Sequence, residues 1–204
     1  TVQHPTHTYT SAGTYTVELT VTNGDGCSNT VSMGVLISDY PSVGFTFLNS
    51  CEETSVAFTN TSETGTYAWD FGDGNSSIIS NPSNTYLIAD TYDVTLTVTN
   101  ANGCVDQLIQ QIEIFDNPEF TLSASEVLCF GDSTGSILVS PTVGAAPLDF
   151  ILNGGATQIG STFSNLFEDL YTVTVADTNG CSTSHDITVG QPIAALGVSV
   201  NSLL

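Results

Sequence analysis

Apolar and polar side chains alternate along several segments of this chain. In residues 92–99, YDVTLTVT, every second side chain is apolar, and residues 15–21 and 171–175 follow the same pattern. This period of two predicts β-strands with one buried side. Asn-Gly or Asp-Gly pairs follow the alternating segments and favour hairpin turns. No long stretch has a helical period, so the pattern predicts an all-β protein made of β-sandwiches.

The sequence contains an internal repeat. Residues 4–41 align without gaps with residues 81–118, an offset of 77, and YTVTVADTNGC at 171–181 echoes YDVTLTVTNANGC at 92–104. We interpret residues 1–40 as the C-terminal half of a domain, 41–117 as a complete domain, 118–190 as a related domain and 191–204 as the first strand of a following repeat. Pro41, Pro118 and Pro192 mark the junctions. The prediction is an extended array of tandem domains.

The lack of positively charged residues excludes several classes of function. The 204 residues include 21 Asp and Glu but no Lys or Arg, which gives a formal net charge of −21. A Walker lysine and a Schiff-base lysine are therefore excluded. The chain also lacks the cations that bind nucleic acid, and anionic membrane surfaces should repel it. We expect no nucleic-acid partner and no direct membrane insertion. A hydrophobic content of 40% still allows packed cores.

Five widely spaced cysteines point to an oxidising compartment. They form no CxxC pair, and no histidine lies at zinc-ligand spacing from them. Cysteines of this kind in an acidic, strand-rich chain are typical of disulfides in secreted proteins. We therefore expect an extracellular or cell-surface location.

The complete domain carries a recognisable motif. YAWDFGDG at residues 67–74 is followed by NPSNTY at 81–86 and TYDVTLTVTN at 91–100. This succession resembles the polycystic kidney disease (PKD) domain, and the match covers the whole domain. Asn84 and Asp90 stand where that family usually has His and Gly. The resemblance implies immunoglobulin-like β-sandwich domains.

The third domain resembles a different repeat. CFGDSTGSI at residues 129–137, LYTVTV at 170–175 and DTNGC at 177–181 are similar to the SprB-type repeat of giant gliding-motility adhesins of Bacteroidota. The usual aromatic stretch is weakened here to PLDF at 147–150. PKD domains followed by such repeats imply a very large cell-surface protein exported by type IX secretion. Asp132-Ser133-Thr134 resembles the O-glycosylation motif of the same phylum, which makes Ser133 a candidate glycan site.

The domain organisation implied by these resemblances suggests a disulfide pattern. Each intact domain has one cysteine near its first strand and one just after its last hairpin. We therefore expect the bonds Cys51–Cys104 and Cys129–Cys181. Cys27 aligns with Cys104, so its partner is expected outside this sequence, and a free thiol is the alternative.

Acidic and aromatic residues offer few candidate sites. Trp69 and Phe71 could form a ligand platform, but alternation favours the core. Asp70 and Asp73 could hold a cation, and hydrogen bonds that shape a turn are the favoured alternative. Asp39 and Asp116 precede the junction prolines and are the candidates for a Ca²⁺ that stiffens the joints. The sequence contains no DxDxDG-like ligand run that would support a site at these residues. Ca²⁺ is nevertheless the one cofactor that the sequence leaves open.

Catalysis has little support. Ser184, His185 and Asp186 are adjacent in sequence, but neighbours on a strand face opposite sides. We predict that the chain is not an enzyme and that none of its residues is catalytic. The expected function is a non-catalytic structural or adhesive segment, a disulfide-stapled rod of a bacterial surface protein or filament. Its partners would be neighbouring repeats, surface glycans or other cells. The alternative is an accessory binding module of a secreted enzyme that degrades polysaccharide or protein.

Overall fold

The computed structural model describes residues 2–192 of the chain. Within that range every regular element is a β-strand, and no helix is present. Residues 193–204, which belong to the expected strand of a following repeat, lie outside the described residues. The seventeen strands are β1 (Gly13–Thr22), β2 (Ser28–Ile37), β3 (Phe45–Thr46), β4 (Ser50–Cys51), β5 (Ser55–Ala57), β6 (Thr59–Asn60), β7 (Thr66–Asp70), β8 (Ser76–Ser77), β9 (Ser83–Thr85), β10 (Asp90–Thr99), β11 (Val105–Phe115), β12 (Glu119–Ser125), β13 (Gly135–Val143), β14 (Asp149–Leu152), β15 (Thr162–Leu166), β16 (Asp169–Ala176) and β17 (Ser182–Val189).

Contacts divide the chain into two compact units. Unit 1 comprises the residues up to Phe47 together with Ala57–Ser83 and Asp93–Gln111. Unit 2 comprises Leu48–Val56, Asn84–Tyr92 and the residues from Ile112 onward. The five-stranded sheet has the order β4-β11-β10-β7-β8, and β10 and β11 contribute residues to both units.

Unit 1 contains a hairpin of its own, β1–β2. The two strands form a two-stranded antiparallel sheet in which Gly13 pairs with Ile37 and Thr22 pairs with Ser28. Threonine and serine hydroxyls pair across one side of this sheet, as in Thr20 with Thr30 at 2.7 Å. The opposite side carries Val17, Leu19 and other apolar residues, because successive side chains of a strand point to opposite sides.

The core of unit 1 is rich in aromatic residues. Trp69 and Phe71 on and after β7 are each 2% exposed, and Phe45 and Phe58 pack with them. Ring centroids of Phe45 and Trp69 lie 5.1 Å apart at an interplanar angle of 74°, an edge-to-face arrangement that aromatic pairs favour. On β10, Val94, Leu96 and Val98 are fully buried. The alternation read from the sequence therefore places one side of β10 in the core.

The region after Asn117, in unit 2, is a β-sandwich. One three-stranded sheet has the order β12-β13-β15 and the other β14-β16-β17. Their inward side chains form one apolar cluster that includes Phe120, Ile137, Val139, Val173 and Val175. Gly135 is needed where β13 passes β15 and β17, because a Cβ there would lie 2.6 Å from a methyl of Val189 and 2.9 Å from the Leu166 carbonyl oxygen. The prediction of an all-β, immunoglobulin-like fold in tandem is confirmed.

Candidate functional site

In three hairpin turns of the chain, a side-chain oxygen accepts the same pair of hydrogen bonds from backbone amides. In the turn between β1 and β2, Asn23 Oδ1 accepts hydrogen bonds from the amides of Asp25 and Cys27 at 3.0 and 2.9 Å. Asn100 repeats both bonds to Asn102 and Cys104 at 3.0 Å. Each asparagine thereby satisfies two amides that the ladder leaves unpaired.

The third hairpin, β16–β17, builds the same turn with a carboxylate. Asp177 Oδ1 accepts the amides of Asn179 and Cys181 at 2.9 and 3.0 Å. A carboxylate oxygen accepts hydrogen bonds as an amide oxygen does, so Asp and Asn are interchangeable at this point of the turn. The echo between residues 92–104 and 171–181 therefore reflects a common local geometry.

A tyrosine also recurs in each hairpin. The hydroxyl of Tyr15 donates to the Ser11 carbonyl at 2.9 Å, and that of Tyr92 donates to the Ile88 carbonyl at 2.8 Å. Tyr171 makes the equivalent bond to Phe167 at 3.2 Å. Each hydroxyl ties the entry of its strand to the residue four positions upstream.

The two PKD-like hairpins differ in what lies over their apolar side. In β10, Val94, Leu96 and Val98 are 0% exposed. Their aligned residues in β1 are Val17, Leu19 and Val21, which are 44%, 60% and 62% exposed. The same strand pattern is therefore core in one copy and surface in the other.

We call the apolar side of β1–β2 the open face. Besides the three β1 residues just named, it contains Val31, Met33 and Val35 of β2, and Val31 and Met33 are 63% and 70% exposed. Its residues line a shallow groove of about 260 Å³. Exposed apolar surface of this kind marks an interaction site in folded proteins. The offset of 77 aligns the three β1 residues with the buried Val94, Leu96 and Val98, and Val31 and Met33 of β2 with the half-buried Leu108 and Gln110.

Trp69 and Phe71 are core residues, as the alternation predicted. The Trp69 indole nitrogen donates to the Ile79 carbonyl at 3.0 Å, so its polar atom is satisfied inside the protein. Neither ring is available as a platform for a ligand, since each is 2% exposed.

Asp70 and Asp73 shape the loop after β7. Asp70 Oδ1 accepts the Gly72 amide at 2.9 Å, and Asp73 Oδ1 accepts the Asn75 amide at 2.9 Å. Gly72 has φ of +79°, and a Cβ there would lie 2.7 Å from the Asp93 carbonyl oxygen. The turn-forming interpretation of these two aspartates agrees with the observed hydrogen bonds.

Asp39 and Asp116 lie in different units. The Asp39 carbonyl accepts a hydrogen bond from the Asn100 side-chain amide at 3.0 Å within unit 1. Asp116 lines a groove of unit 2 together with Asp90, Glu113 and Asp177. Across residues 2–192, no three His, Cys, Asp or Glu side chains are grouped so that they could hold a metal ion. The Ca²⁺ site stays a prediction.

The disulfide bonds differ from the expected pairs. The structure contains a bond between Cys51 and Cys181, both in unit 2, with Cα atoms 5.6 Å apart. Cys27 and Cys129 are exposed thiols, and Cys104 is a half-buried one. The predicted bonds Cys51–Cys104 and Cys129–Cys181 are therefore wrong.

Strand direction explains the error. Cys51 on β4 pairs with Phe115 at the end of β11, whereas Cys104 precedes the start of that strand. Phe115 lies eleven residues after Cys104 along the extended strand, a path of roughly 36 Å at about 3.3 Å per residue. A disulfide needs Cα atoms within about 7 Å, so Cys51 cannot reach Cys104. The predicted pairs follow the position of each cysteine within its domain, whereas the observed pairing depends on the strand end at which each cysteine lies.

The remaining candidates occupy structural positions. Ser184 pairs with the Thr174 hydroxyl at 2.8 Å and Asp186 accepts the Thr172 hydroxyl at 2.7 Å, while the His185 ring lies 4.8 Å from that of Phe120. These three side chains therefore do not converge. Ser133 is half-buried in the connection between β12 and β13.

The described part of the chain, residues 2–192, contains no helix of the length and apolarity that crossing a membrane requires.

The chain is similar to parts of several solved structures. The PKD1 domain of Vibrio anguillarum Epp is 32% identical over 38% of this chain and 96% of its own, with a TM-score of 0.35. The PKD1 domain from the Vibrio cholerae metalloprotease PrtV is 36% identical over 38% of this chain and 99% of its own, with a TM-score of 0.34. Fibronectin(III)-like modules of Clostridium thermocellum CbhA are 13% identical over 78% of this chain and 100% of theirs, with a TM-score of 0.37.

The family comparison covers both PKD-like segments. The family described as "PKD domain" matches residues 1–37 and 46–114, which together make up more than half of the sequence. These matched residues include the WDFGDG loop, both Asn-anchored turns and the buried strand β10. The chain belongs to the PKD domain family.

Proposed function

We propose that this chain is a non-catalytic structural and adhesive segment of a large secreted bacterial surface protein or extracellular filament. The observation that carries the proposal is the Cys51–Cys181 bond. It joins a residue of the PKD-like region to a residue of the sandwich that follows Asn117, so it fastens successive parts of the chain covalently. A segment that bears tension benefits from such a bond, because the enclosed residues cannot be extended.

Three further properties support this role. PKD domains occur in extracellular proteins, where disulfides persist. The absence of Lys and Arg from all 204 residues removes every cleavage site for trypsin-like proteases. A net charge of −21 also makes like chains repel one another. Residues 118–190 are, in this proposal, a SprB-type repeat, and neighbouring repeats, surface glycans or other cells are the partners.

Mechanical extension of single molecules tests the proposal. The bond encloses a sequence separation of 130 residues. Pulling from the two ends should release up to roughly 45 nm more contour length after reduction than before it, at about 3.5 Å per residue. The double variant Cys27→Ser/Cys104→Ser is the matched control and should keep the full difference. Equal contour lengths in both redox states would remove the main support for a load-bearing role.

Microscopy and binding separate the proposed role from its alternatives. Filaments or long rods in electron micrographs of the native material are expected, and compact monodisperse particles would argue against a filament. Micromolar binding on a glycan array would instead favour a carbohydrate-binding module. The proposed function requires no bound cofactor. Whether Ca²⁺ binds at Asp116 is tested by measuring thermal stability during a Ca²⁺ titration. A rise in thermal stability with Ca²⁺ that is absent in Asp116→Asn would add that ion to the array.

A further inference from the structure

Two N-glycosylation sequons lie in unit 1 and have no role in the function proposed above. They are Asn60-Thr61-Ser62 and Asn75-Ser76-Ser77. In a sequon, the side-chain nitrogen of the asparagine takes the sugar, and the transferase also requires the hydroxyl of the Ser or Thr two positions later. Both sequons contain these residues. The exposure of the asparagine nitrogen therefore decides which of them can react in the folded chain.

The Asn60 side chain is anchored inside the fold. Asn60 lies on β6, which pairs with β3, and its Oδ1 accepts the Ser62 amide at 2.8 Å. Its backbone amide donates to Asn81 Oδ1 at 2.9 Å. The Asn60 Nδ2 atom is buried and has no hydrogen-bond partner among residues 2–192. A sugar on this nitrogen would displace the surrounding protein, so the first sequon is closed in the folded chain.

Asn75 lies at the surface instead. It ends the loop between β7 and β8, where its carbonyl accepts the Phe71 amide at 3.1 Å. The residue is exposed, and its Nδ2 donates to the Asp73 carboxylate, another surface group, at 2.9 Å. A Cβ added at the preceding Gly74 would meet open space. The second sequon therefore presents its nitrogen on an open part of the loop.

The surroundings of Asn75 fit a bulky polar modification. β8 begins at the next residue and pairs with β7 alone within the part of the chain that the structure describes. Ile78 and Ile79, which follow β8, are 82% and 65% exposed. An unpaired strand edge beside exposed aliphatic side chains is an aggregation hazard that proteins cover. A glycan is large and highly soluble, so one at Asn75 would shield this edge.

We propose that Asn75 is the acceptor of an N-linked glycan on the folded chain. The donor is an oligosaccharide whose anomeric carbon, C1, is joined to a diphosphate. A bond forms between Asn75 Nδ2 and C1 while the bond between C1 and the diphosphate oxygen breaks. The diphosphate leaves with the bonding electrons, and an Nδ2 proton passes to a base of the transferase. The proposal requires export past such a transferase and does not depend on the adhesive role proposed above.

Glycosyl transfer in vitro tests this assignment. The folded chain is incubated with an oligosaccharyltransferase that requires only the N-x-[ST] sequon and with a lipid-diphosphate-linked oligosaccharide. Peptides of the same chain serve as the unfolded control, because cleavage after Glu53, Glu63 and Glu113 puts the two sequons on separate peptides. Mass spectrometry should find similar transfer to both peptides. In the folded chain, transfer to Asn75 should be faster by about tenfold or more, since Asn60 reacts only after local unfolding.

Variants of the second sequon identify the acceptor. Asn75→Gln and Ser77→Ala should each abolish transfer to this loop, whereas Ser77→Thr keeps the required hydroxyl and should retain it. Ser76→Ala changes the middle position, which the transferase does not require, and is the matched control with unchanged transfer. Material from the native source should carry the glycan on the peptide that contains Asn75.

Three outcomes would overturn the proposal. One is equal transfer to Asn60 and Asn75 in the folded chain, and another is no transfer to Asn75 in that chain. The third is native material in which the Asn75 peptide has the mass of the unmodified sequence.

Discussion

The hairpins β1–β2 and β10–β11 are two copies of one design in different surroundings. Both hold their turns with an asparagine, Asn23 or Asn100, and both tie a tyrosine hydroxyl to a carbonyl four residues upstream. The neighbouring tyrosine rings also match: their centroids lie 4.3 Å apart at a tilt of 35° for Tyr9 and Tyr15, and 4.5 Å apart at 34° for their counterparts. The apolar side is exposed in one hairpin and buried in the other. Local geometry is thus encoded within the hairpin, whereas burial depends on what lies over it.

The largest expected effect comes from truncating one leucine in each hairpin. Leu96→Ala removes a fully buried side chain and should cost about 2–5 kcal/mol of unfolding free energy, since it leaves a cavity. Leu19→Ala changes an exposed side chain and should cost less than about 0.5 kcal/mol. Denaturant unfolding followed by the fluorescence of Trp69, the single tryptophan of the chain, measures the first effect. Circular dichroism covers the whole chain and measures the second.

This pair of variants tests whether the two hairpins differ in burial in solution. Equal losses for the two leucines would mean that the open face is buried in solution.

The turn asparagines should give an intermediate effect. Asn100→Ala removes the acceptor of two backbone amides and also the donor to the Asp39 carbonyl, so we expect a loss of about 1–2 kcal/mol. Asn23→Ala removes only the two accepting bonds and should cost about 1 kcal/mol. Thermal unfolding and amide exchange at Cys27 and Cys104 measure the two losses.

A carboxylate variant sharpens the interpretation of the turn. Asn100→Asp keeps both accepting bonds, as Asp177 does in the third hairpin, and loses only the donor. It should therefore fall between the wild type and Asn100→Ala. Exchange of the Cys104 amide as fast in Asn100→Asp as in Asn100→Ala would show that the side-chain oxygen is not what orders the turn.

The smallest effect is expected from the tyrosine hydroxyls. Tyr92→Phe and Tyr15→Phe each delete one hydrogen bond to a carbonyl and keep the ring, so each should cost about 0.5–1 kcal/mol. Similar losses in the two hairpins, measured by thermal unfolding, would confirm that this contact is local. A loss confined to Tyr92→Phe would show that its value depends on the packed surroundings of β10.

Much of the fold was predictable because period-two alternation and turn chemistry are local properties. The strands β1, β10 and β16 and their Asn- or Asp-anchored turns lie where the pattern placed them. The core role of Trp69 followed from the same alternation. The loop role of Asp70 and Asp73 also followed, because short acidic side chains bond to backbone amides nearby in sequence.

The disulfide was not predictable by the same reasoning. Cysteine pairing depends on which ends of strands come together, and widely separated positions such as 51 and 181 carry no periodic signal for this. The parallel pairing of β4 with the end of β11 puts Cys51 far along the strand from Cys104. A prediction based on order within a domain could not include that fact.

The sequence by itself determined the strands, the turns, the repeat and the membership in the PKD family, since each depends on residues close together or on a direct match of motifs. The tertiary structure alone decided that Cys51 bonds to Cys181 and that Leu19 and Met33 are exposed while Leu96 is buried. These outcomes depend on which distant segments pack together, and identical local sequence patterns leave that open.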